Sequence, residues 1–194
     1  MYKKIVGFVF VFLTICFLKC FAIDGIELLS GYFGLWQKDL EETNSTYQGV
    51  PLFLDFDFDV RGFLEKIGLK TKGKIDFVLE PFANTILKPN DNIEAGCNFL
   101  LKYVFPLSET FQPYIKAGEG ISYMSQHTYE QSTQYNFLSQ GALGFHFFIK
   151  DNIAITAEYR YRHLSNASIK HPNNGINTDF ILGGITFFFN DTKS

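Results

Sequence analysis

Apolar and polar residues alternate along most of this chain with a period of two residues. The clearest stretches run from Leu52 to Val60, from Asn92 to Phe105 and from Ile153 to Ser165. Alternation of this kind predicts β-strands with one apolar and one polar face. Five further strands are predicted, which gives eight in all, near residues 25–36, 74–80, 111–123, 135–149 and 179–189.

The polar faces of these strands are rich in charge of both signs, contributed by Asp55, Asp57, Asp59, Lys74, Asp76, Glu80, Glu94, Lys102, Lys116, Glu158, Arg160 and Arg162. An eight-stranded barrel is filled by its own side chains, and mixed charges can pair there. The pattern therefore predicts an all-β protein, an eight-stranded antiparallel transmembrane β-barrel of the bacterial outer membrane. Its apolar face contacts lipid, and its interior holds ion pairs.

Glu119 does not fit this alternation, because it falls on the apolar side of the fifth strand. A β-bulge at Gly118 or Gly120 that resets the register is the favoured explanation. A functional carboxylate on the outer surface is the alternative. Cys97 lies on the apolar face of the fourth strand, where we expect a small apolar side chain and not a reactive thiol.

Residues 1–22 resemble a targeting segment. Lys3 and Lys4 precede an apolar run that ends at Leu18, and the small residue Ala22 follows. These features predict a secretory signal peptide over residues 1–22, cleaved after Ala22, and a single β-barrel domain over residues 23–194. A transmembrane anchor is the alternative, but the run is shorter than the roughly 20 residues that a spanning helix needs.

The composition agrees with an exported membrane barrel and argues against several kinds of partner and site. Aromatic residues make up 18% of the chain, with 23 Phe and 10 Tyr, as is typical of membrane barrels. Cleavage would remove three of the 17 basic residues and none of the 20 acidic ones, so the net charge changes from −3 to −6. This charge argues against nucleic acid as a partner. With Cys97 as the single remaining cysteine, an intrachain disulfide and a cysteine-based metal site are excluded.

The candidate chemistry lies at the end of the seventh strand. His163 and Ser165 are two residues apart, so they share one face, and that face is the outer one. With eight strands, both ends of the barrel wall lie on the periplasmic side, and the seventh strand runs outward. A His and a hydroxyl at the level of the outer-leaflet headgroups point to acyl transfer, in which the imidazole accepts the serine proton. A structural His at a strand end is the alternative.

These residues resemble a known family. The segment from His163 to Ala167, HLSNA, and the segment from Lys170 to Ile176, KHPNNGI, are similar to the signature of the outer-membrane lipid A 3-O-deacylases, the PagL family. The likeness covers roughly residues 159–177. The resemblance implies an eight-stranded barrel that hydrolyses the ester-linked acyl chain at position 3 of lipid A, without a cofactor.

The resemblance also implies a role for individual residues. Ser165 corresponds to the nucleophile, His163 to the general base, and Asn166 to an asparagine implicated in holding the oxyanion. Two positions depart from the family pattern: Asn177 replaces the glutamate that orients the histidine, and Ser168 replaces a glycine near the oxyanion hole. Asn177 can still accept a hydrogen bond, so we expect a working but weaker triad. Asp179, on the same face as Asn177, is the possible substitute acid.

Three functions remain open from the sequence. The favoured hypothesis is a serine esterase that acts on lipid A, or lipopolysaccharide, in the outer leaflet of the membrane. The first alternative is a small structural or adhesive barrel that has inherited the motif and lost the glutamate. The second alternative is an esterase that acts on another outer-leaflet lipid.

Overall fold

The computed structural model describes residues 22–34, 40 and 44–189. The described residues form a closed barrel in which every strand pairs antiparallel with its neighbours in sequence, and the first strand pairs with the last. The strands are β1 (Ile23–Phe33), β2 (Gln48–Asp59), β3 (Lys74–Lys88), β4 (Asn92–Val104), β5 (Phe111–Met124), β6 (Tyr135–Lys150), β7 (Ile153–Ser165) and β8 (Ile176–Phe188). One short helix, α1 (Arg61–Lys66), follows β2. Among these described elements, no helix is long and apolar enough to cross a membrane.

The predicted eight-stranded barrel is confirmed, and the predicted bounds of β7 agree with the observed ones. β3 extends to Lys88, well beyond the predicted stretch. Its second half departs from a simple alternation because Phe82 and Ile86, which are apolar, face the interior there. The predicted signal peptide falls almost entirely on residues outside the described ones, as does the predicted extension of the first strand to Trp36.

Ion pairs fill one half of the barrel interior, as the sequence predicts. Arg160 contacts Glu80 with both terminal nitrogens, at 2.5 and 2.7 Å, and also contacts Glu158 at 2.7 Å. Lys116 lies 2.8 Å from both Asp55 and Glu158. Because all of these side chains are buried, each charge depends on its partners to replace the lost hydration. These paired side chains form a charged plug that fills this part of the interior, so it is not an open pore.

Nearer to the loop that follows β7, apolar side chains pack around the buried ion pair of Arg162 and Glu94. These apolar side chains form one cluster that includes Leu29, Phe33, Tyr47, Phe53, Phe82, Ile86, Met124, Leu138, Leu164, Ile176 and Phe180. Leu164 and Ile176 belong to the last pair between β7 and β8, and both are buried. This packing fixes the end of the two strands that carry the candidate catalytic residues.

The predicted bulge in β5 is wrong. The registers between β4 and β5 and between β5 and β6 run without a shift past Gly118 and Gly120. Gly120 faces inward, where an added Cβ would lie 2.1 Å from the side-chain oxygen of Asn98. The glycines are needed because the filled interior leaves no room for a side chain. Glu119 therefore faces outward, on the lipid side of the wall.

Candidate active site

His163 and Ser165 lie on the outer face at the end of β7, with Leu164 between them anchored in the apolar cluster. Both side chains are half-buried. Residues two apart on a strand have Cα atoms roughly 7 Å apart and point the same way. The hydroxyl of Ser165 makes no hydrogen bond with any described residue, and this includes the imidazole of His163. The strand thus brings the two side chains to the same face without a direct bond between them.

Asn177 is the partner of the imidazole. It lies directly opposite His163 in the pairing of β7 with β8, and its Oδ1 lies 2.6 Å from His163 Nδ1. An amide oxygen can only accept, so Nδ1 carries the proton of the neutral ring. Nε2 is then left with a lone pair, which is the form that a general base needs.

Gly175 packs against the other side of the same ring. An added Cβ at this position would lie 2.5 Å from His163 Cε1, and the backbone there has φ +77°. A left-handed φ and a close approach both favour glycine. The glycine of the sequence motif therefore makes room for the imidazole of His163.

Asp179 is engaged elsewhere. Its side chain faces outward, but its Oδ1 accepts a hydrogen bond from Tyr159 Oη. It is only 8% exposed and pairs across the sheet with Tyr161, one row below His163. The structure thus brings Asn177, and not Asp179, into contact with the imidazole. The choice between them as the third member of the triad remains a prediction that activity measurements must test.

Asn166 is buried and holds the loop that follows β7. Its backbone N–H donates to Asn173 Oδ1 at 2.8 Å, and its Nδ2 donates to the carbonyl of Lys170 at 2.8 Å and to Ser132 Oγ at 3.2 Å. Its donors are therefore already used within the protein. The geometry favours a role for Asn166 in shaping the loop around Ser165 over direct contact with an oxyanion.

Other hydrogen-bond donors follow Ser165 in the chain. Ala167 and Ser168 have left-handed backbones, with φ +52° and +59°, and neither N–H makes a backbone hydrogen bond within the described residues. Such a conformation explains why the family pattern has a glycine where this chain has Ser168. Nδ2 of Asn173 lies 3.5 Å from Ser168 Oγ, and the same amide is oriented by Asn166.

The loop between β5 and β6 supports the loop between β7 and β8. The sequence analysis did not predict this contact. Residues 125–134, between β5 and β6, contact the β7–β8 loop through backbone hydrogen bonds from Ser132 to Pro172 and from Asn174 to Glu130. These contacts join segments about 40 residues apart, which periodicity cannot detect. Among the described residues, no group of three or more His, Cys, Asp or Glu could hold a metal ion.

The fold and the site define an outer-membrane β-barrel with a His, a Ser and an amide on its lipid-facing surface. A family model described as lipid A 3-O-deacylase (PagL) matches residues 34–185, which is most of the chain. The chain belongs to this family, and it is accordingly a protein of the outer membrane and of a hydrolase family that acts on lipid A.

Solved structures agree on the fold. The outer-membrane enzyme PagL superimposes with a TM-score of 0.60 at 18% sequence identity, covering 82% of this chain and 97% of that one. Neisserial surface protein A superimposes with a TM-score of 0.62 at 11% identity, covering 87% of this chain and 98% of that one. A search of curated proteins finds no match.

Proposed function

We propose that this protein is a lipid A 3-O-deacylase that hydrolyses the acyl ester at position 3 by a serine esterase mechanism. The observation that carries the proposal is the hydrogen bond between His163 and Asn177, which leaves the imidazole as a base beside Ser165. The family to which the chain belongs supports the same reaction. No cofactor takes part.

The reaction proceeds in two halves. Ser165 Oγ attacks the ester carbonyl while His163 Nε2 takes its proton, and the negative charge moves to the carbonyl oxygen. Collapse of the tetrahedral intermediate breaks the bond to the sugar oxygen, which receives the proton from His163. Water then attacks the acyl-enzyme with His163 again as base, which releases the fatty acid and restores Ser165.

The oxyanion is held by N–H groups of the β7–β8 loop. The backbone N–H groups of Ala167 and Ser168 and the Nδ2 of Asn173 are the available donors, whereas Asn166 keeps the loop in shape. Donors held in place before the reaction stabilise the transition state without reorganisation. This arrangement compensates in part for the missing charge at Asn177, which orients the imidazole but cannot stabilise imidazolium electrostatically.

Mass spectrometry of lipid A tests the proposal. The chain is expressed in a host whose lipid A carries an ester-linked acyl chain at position 3, beside Ser165→Ala as a control with the same fold. We expect the wild type to remove one acyl chain and the variant to remove none. Unchanged lipid A in both strains, with the barrel shown to be folded, would contradict the proposal.

A non-catalytic barrel is the second candidate, because Asn177 stands where the family has a glutamate. Labelling with a serine-directed phosphonate distinguishes the two functions. An activated Ser165 is labelled and the Ser165→Ala variant is not, whereas a barrel that has lost the activity leaves both unlabelled. Labelling without any change in lipid A would indicate an esterase for another outer-leaflet lipid.

A further inference from the structure

The connection between β2 and β3, residues 61–73, carries an excess of positive charge. It holds four basic residues and one acid, a net charge of +3, whereas the rest of the chain has 13 basic residues and 19 acidic ones, a net charge of −6. Arg61 pairs with Asp59 at the end of β2. The other three basic side chains are exposed and form no ion pair with any described residue: Lys66, Lys70 and Lys72. These lysines can therefore bind an anion from outside the chain.

Exposed apolar side chains lie among these lysines. Phe63 in α1 precedes Ile67 by four residues, so the two share one side of the helical turn, and they are 45% and 59% exposed. Gly68 has φ +89°, and the N–H of Leu69 donates to the carbonyl oxygen of Leu64, so the chain reverses there. Leu69 is exposed as well. A short segment that exposes both apolar and basic side chains is typical of a membrane surface.

Residues 61–73 lie at the end of the barrel opposite the candidate active site. Because neighbouring strands run antiparallel, the end where β2 joins β3 is also the end where β7 begins, and Ser165 lies at the other end of β7. In an outer-membrane barrel with Ser165 at the outer leaflet, the β2–β3 connection meets the inner, periplasmic leaflet.

Aromatic side chains mark the level of the membrane interface at this end. Tyr103 and Phe105 lie on the outer face where β4 ends, with ring centroids 4.7 Å apart. Further exposed aromatic residues at the same end are Phe111, Phe147 and Phe187. Such residues form girdles at the membrane–water interface. The N–H of Gly73 donates to Tyr103 Oη at 3.1 Å, so the girdle holds the end of the basic segment at the level of the lipid headgroups.

An anionic phospholipid matches both features of the segment. Its phosphate binds lysine ammonium groups, and its acyl chains accept apolar side chains, as in other basic segments at anionic membranes. A cell-wall polymer could offer carboxylates to the lysines, but it would leave Phe63, Ile67 and Leu69 in water. A second copy of this chain would bring the same positive charge to the contact, which opposes association.

We propose that residues 61–73 form a binding segment for anionic phospholipids of the inner leaflet. The ammonium groups of Lys66, Lys70 and Lys72 bind the phosphate, while the neighbouring apolar side chains enter the acyl region below it. This inference goes beyond the proposed function, because the segment and the candidate active site lie in different leaflets. The Ser165→Ala variant therefore binds these lipids as the wild type does.

Lipid binding measured by native mass spectrometry tests the segment. The folded protein in non-ionic detergent is titrated with phosphatidylglycerol and, separately, with phosphatidylcholine of the same acyl chains, and the ratio of the two dissociation constants is determined. The wild type is expected to prefer phosphatidylglycerol, and replacement of all three lysines by glutamine is expected to lower its affinity for that lipid about tenfold. The matched control changes the net charge equally at three separate exposed positions and keeps the preference: Lys88→Gln, Lys150→Gln and Lys170→Gln.

A second variant tests the apolar contacts. Serine at Phe63, Ile67 and Leu69 is expected to weaken binding of both phospholipids and to leave the preference for the anionic one. Equal affinity of the wild type for the two lipids would overturn the inference, as would an equal loss in the control. Sedimentation with purified peptidoglycan that depends on the three lysines, with phosphatidylglycerol binding unchanged, would overturn it in favour of the cell wall. The heat-modifiable mobility of the barrel on gels shows that each variant is folded.

Discussion

His163 Nδ1 and Asn177 Oδ1 are joined by a 2.6 Å hydrogen bond across the last pairs of β7 and β8. The bond selects the tautomer that leaves a lone pair on Nε2, as the proposed role of His163 as a general base requires. It connects His163 on one strand to Asn177 on the next, and the register of the barrel wall sets the distance between them.

Removing this contact is expected to slow the reaction. Asn177→Ala leaves the imidazole free to rotate and to change tautomer, so we expect kcat to fall about tenfold, as for the loss of one neutral hydrogen bond. The measurement is the rate of deacylation of lipid A by the folded protein. A variant as fast as the wild type would show that Asn177 does not support His163.

Restoring a carboxylate at this position is expected to have the opposite effect. In Asn177→Glu, the charge stabilises the imidazolium that forms during attack, so kcat is expected to rise above that of the wild type. The rate at which a serine-directed phosphonate labels Ser165 checks the attack by the serine hydroxyl independently of the lipid. A lower rate in both assays would show that the site has adapted to the amide.

Substitution of Asp179 is expected to have a smaller effect on the reaction than substitution of Asn177. Its carboxylate accepts the hydrogen bond of Tyr159 and not that of the imidazole, so Asp179→Asn is expected to change kcat less than Asn177→Ala does. The two variants are compared in the same deacylation assay. If Asp179→Asn abolishes turnover and Asn177→Ala leaves it unchanged, the assignment of the third residue must be reversed.

Gly175→Ala is expected to abolish activity without unfolding the barrel. The new Cβ would lie 2.5 Å from His163 Cε1, so the ring must move away from Ser165. Gly68→Ala is the matched control, because Gly68 also has a positive φ, +89°, but has no atom near an added Cβ. Deacylation and heat-modifiable mobility are measured for both variants. Normal turnover in Gly175→Ala would mean that the ring position is not critical.

Asn166→Ala is expected to loosen the loop that surrounds the nucleophile. The variant loses the hydrogen bonds from Nδ2 to Lys170 and Ser132, so trypsin should cleave after the exposed Lys170 faster than in the wild type. Asn174→Ala, in the same loop, keeps its backbone bond to Glu130 and serves as the control. Equal cleavage of both variants would contradict the structural role of Asn166.

The charged plug is expected to control stability and not catalysis. Arg160→Leu leaves Glu80 and Glu158 buried without their guanidinium, which costs about 3–5 kcal/mol of unfolding free energy. Arg61→Gln removes a partly exposed pair with Asp59 and should cost roughly 0–1 kcal/mol. Urea unfolding in detergent, followed by far-UV circular dichroism, measures both. Similar midpoints for the two variants would show that the plug contributes little.

The alternation of apolar and polar residues determined the fold class, because residues two apart on a strand share a face and each face of a barrel wall meets one environment. It also placed His163 and Ser165 on the outer surface and the paired charges inside. Local patterns could determine these features since each depends only on neighbouring residues.

The tertiary structure decided which residues meet across strands. The contact of Asn177 with His163, the bond of Asp179 to Tyr159 and the position of Gly175 depend on the register between β7 and β8 and on the path of the loop that joins them. The sequence left Asn177 and Asp179 as alternatives because both face outward. It also favoured a bulge at Glu119, since periodicity cannot show that the glycines beside it face a filled interior.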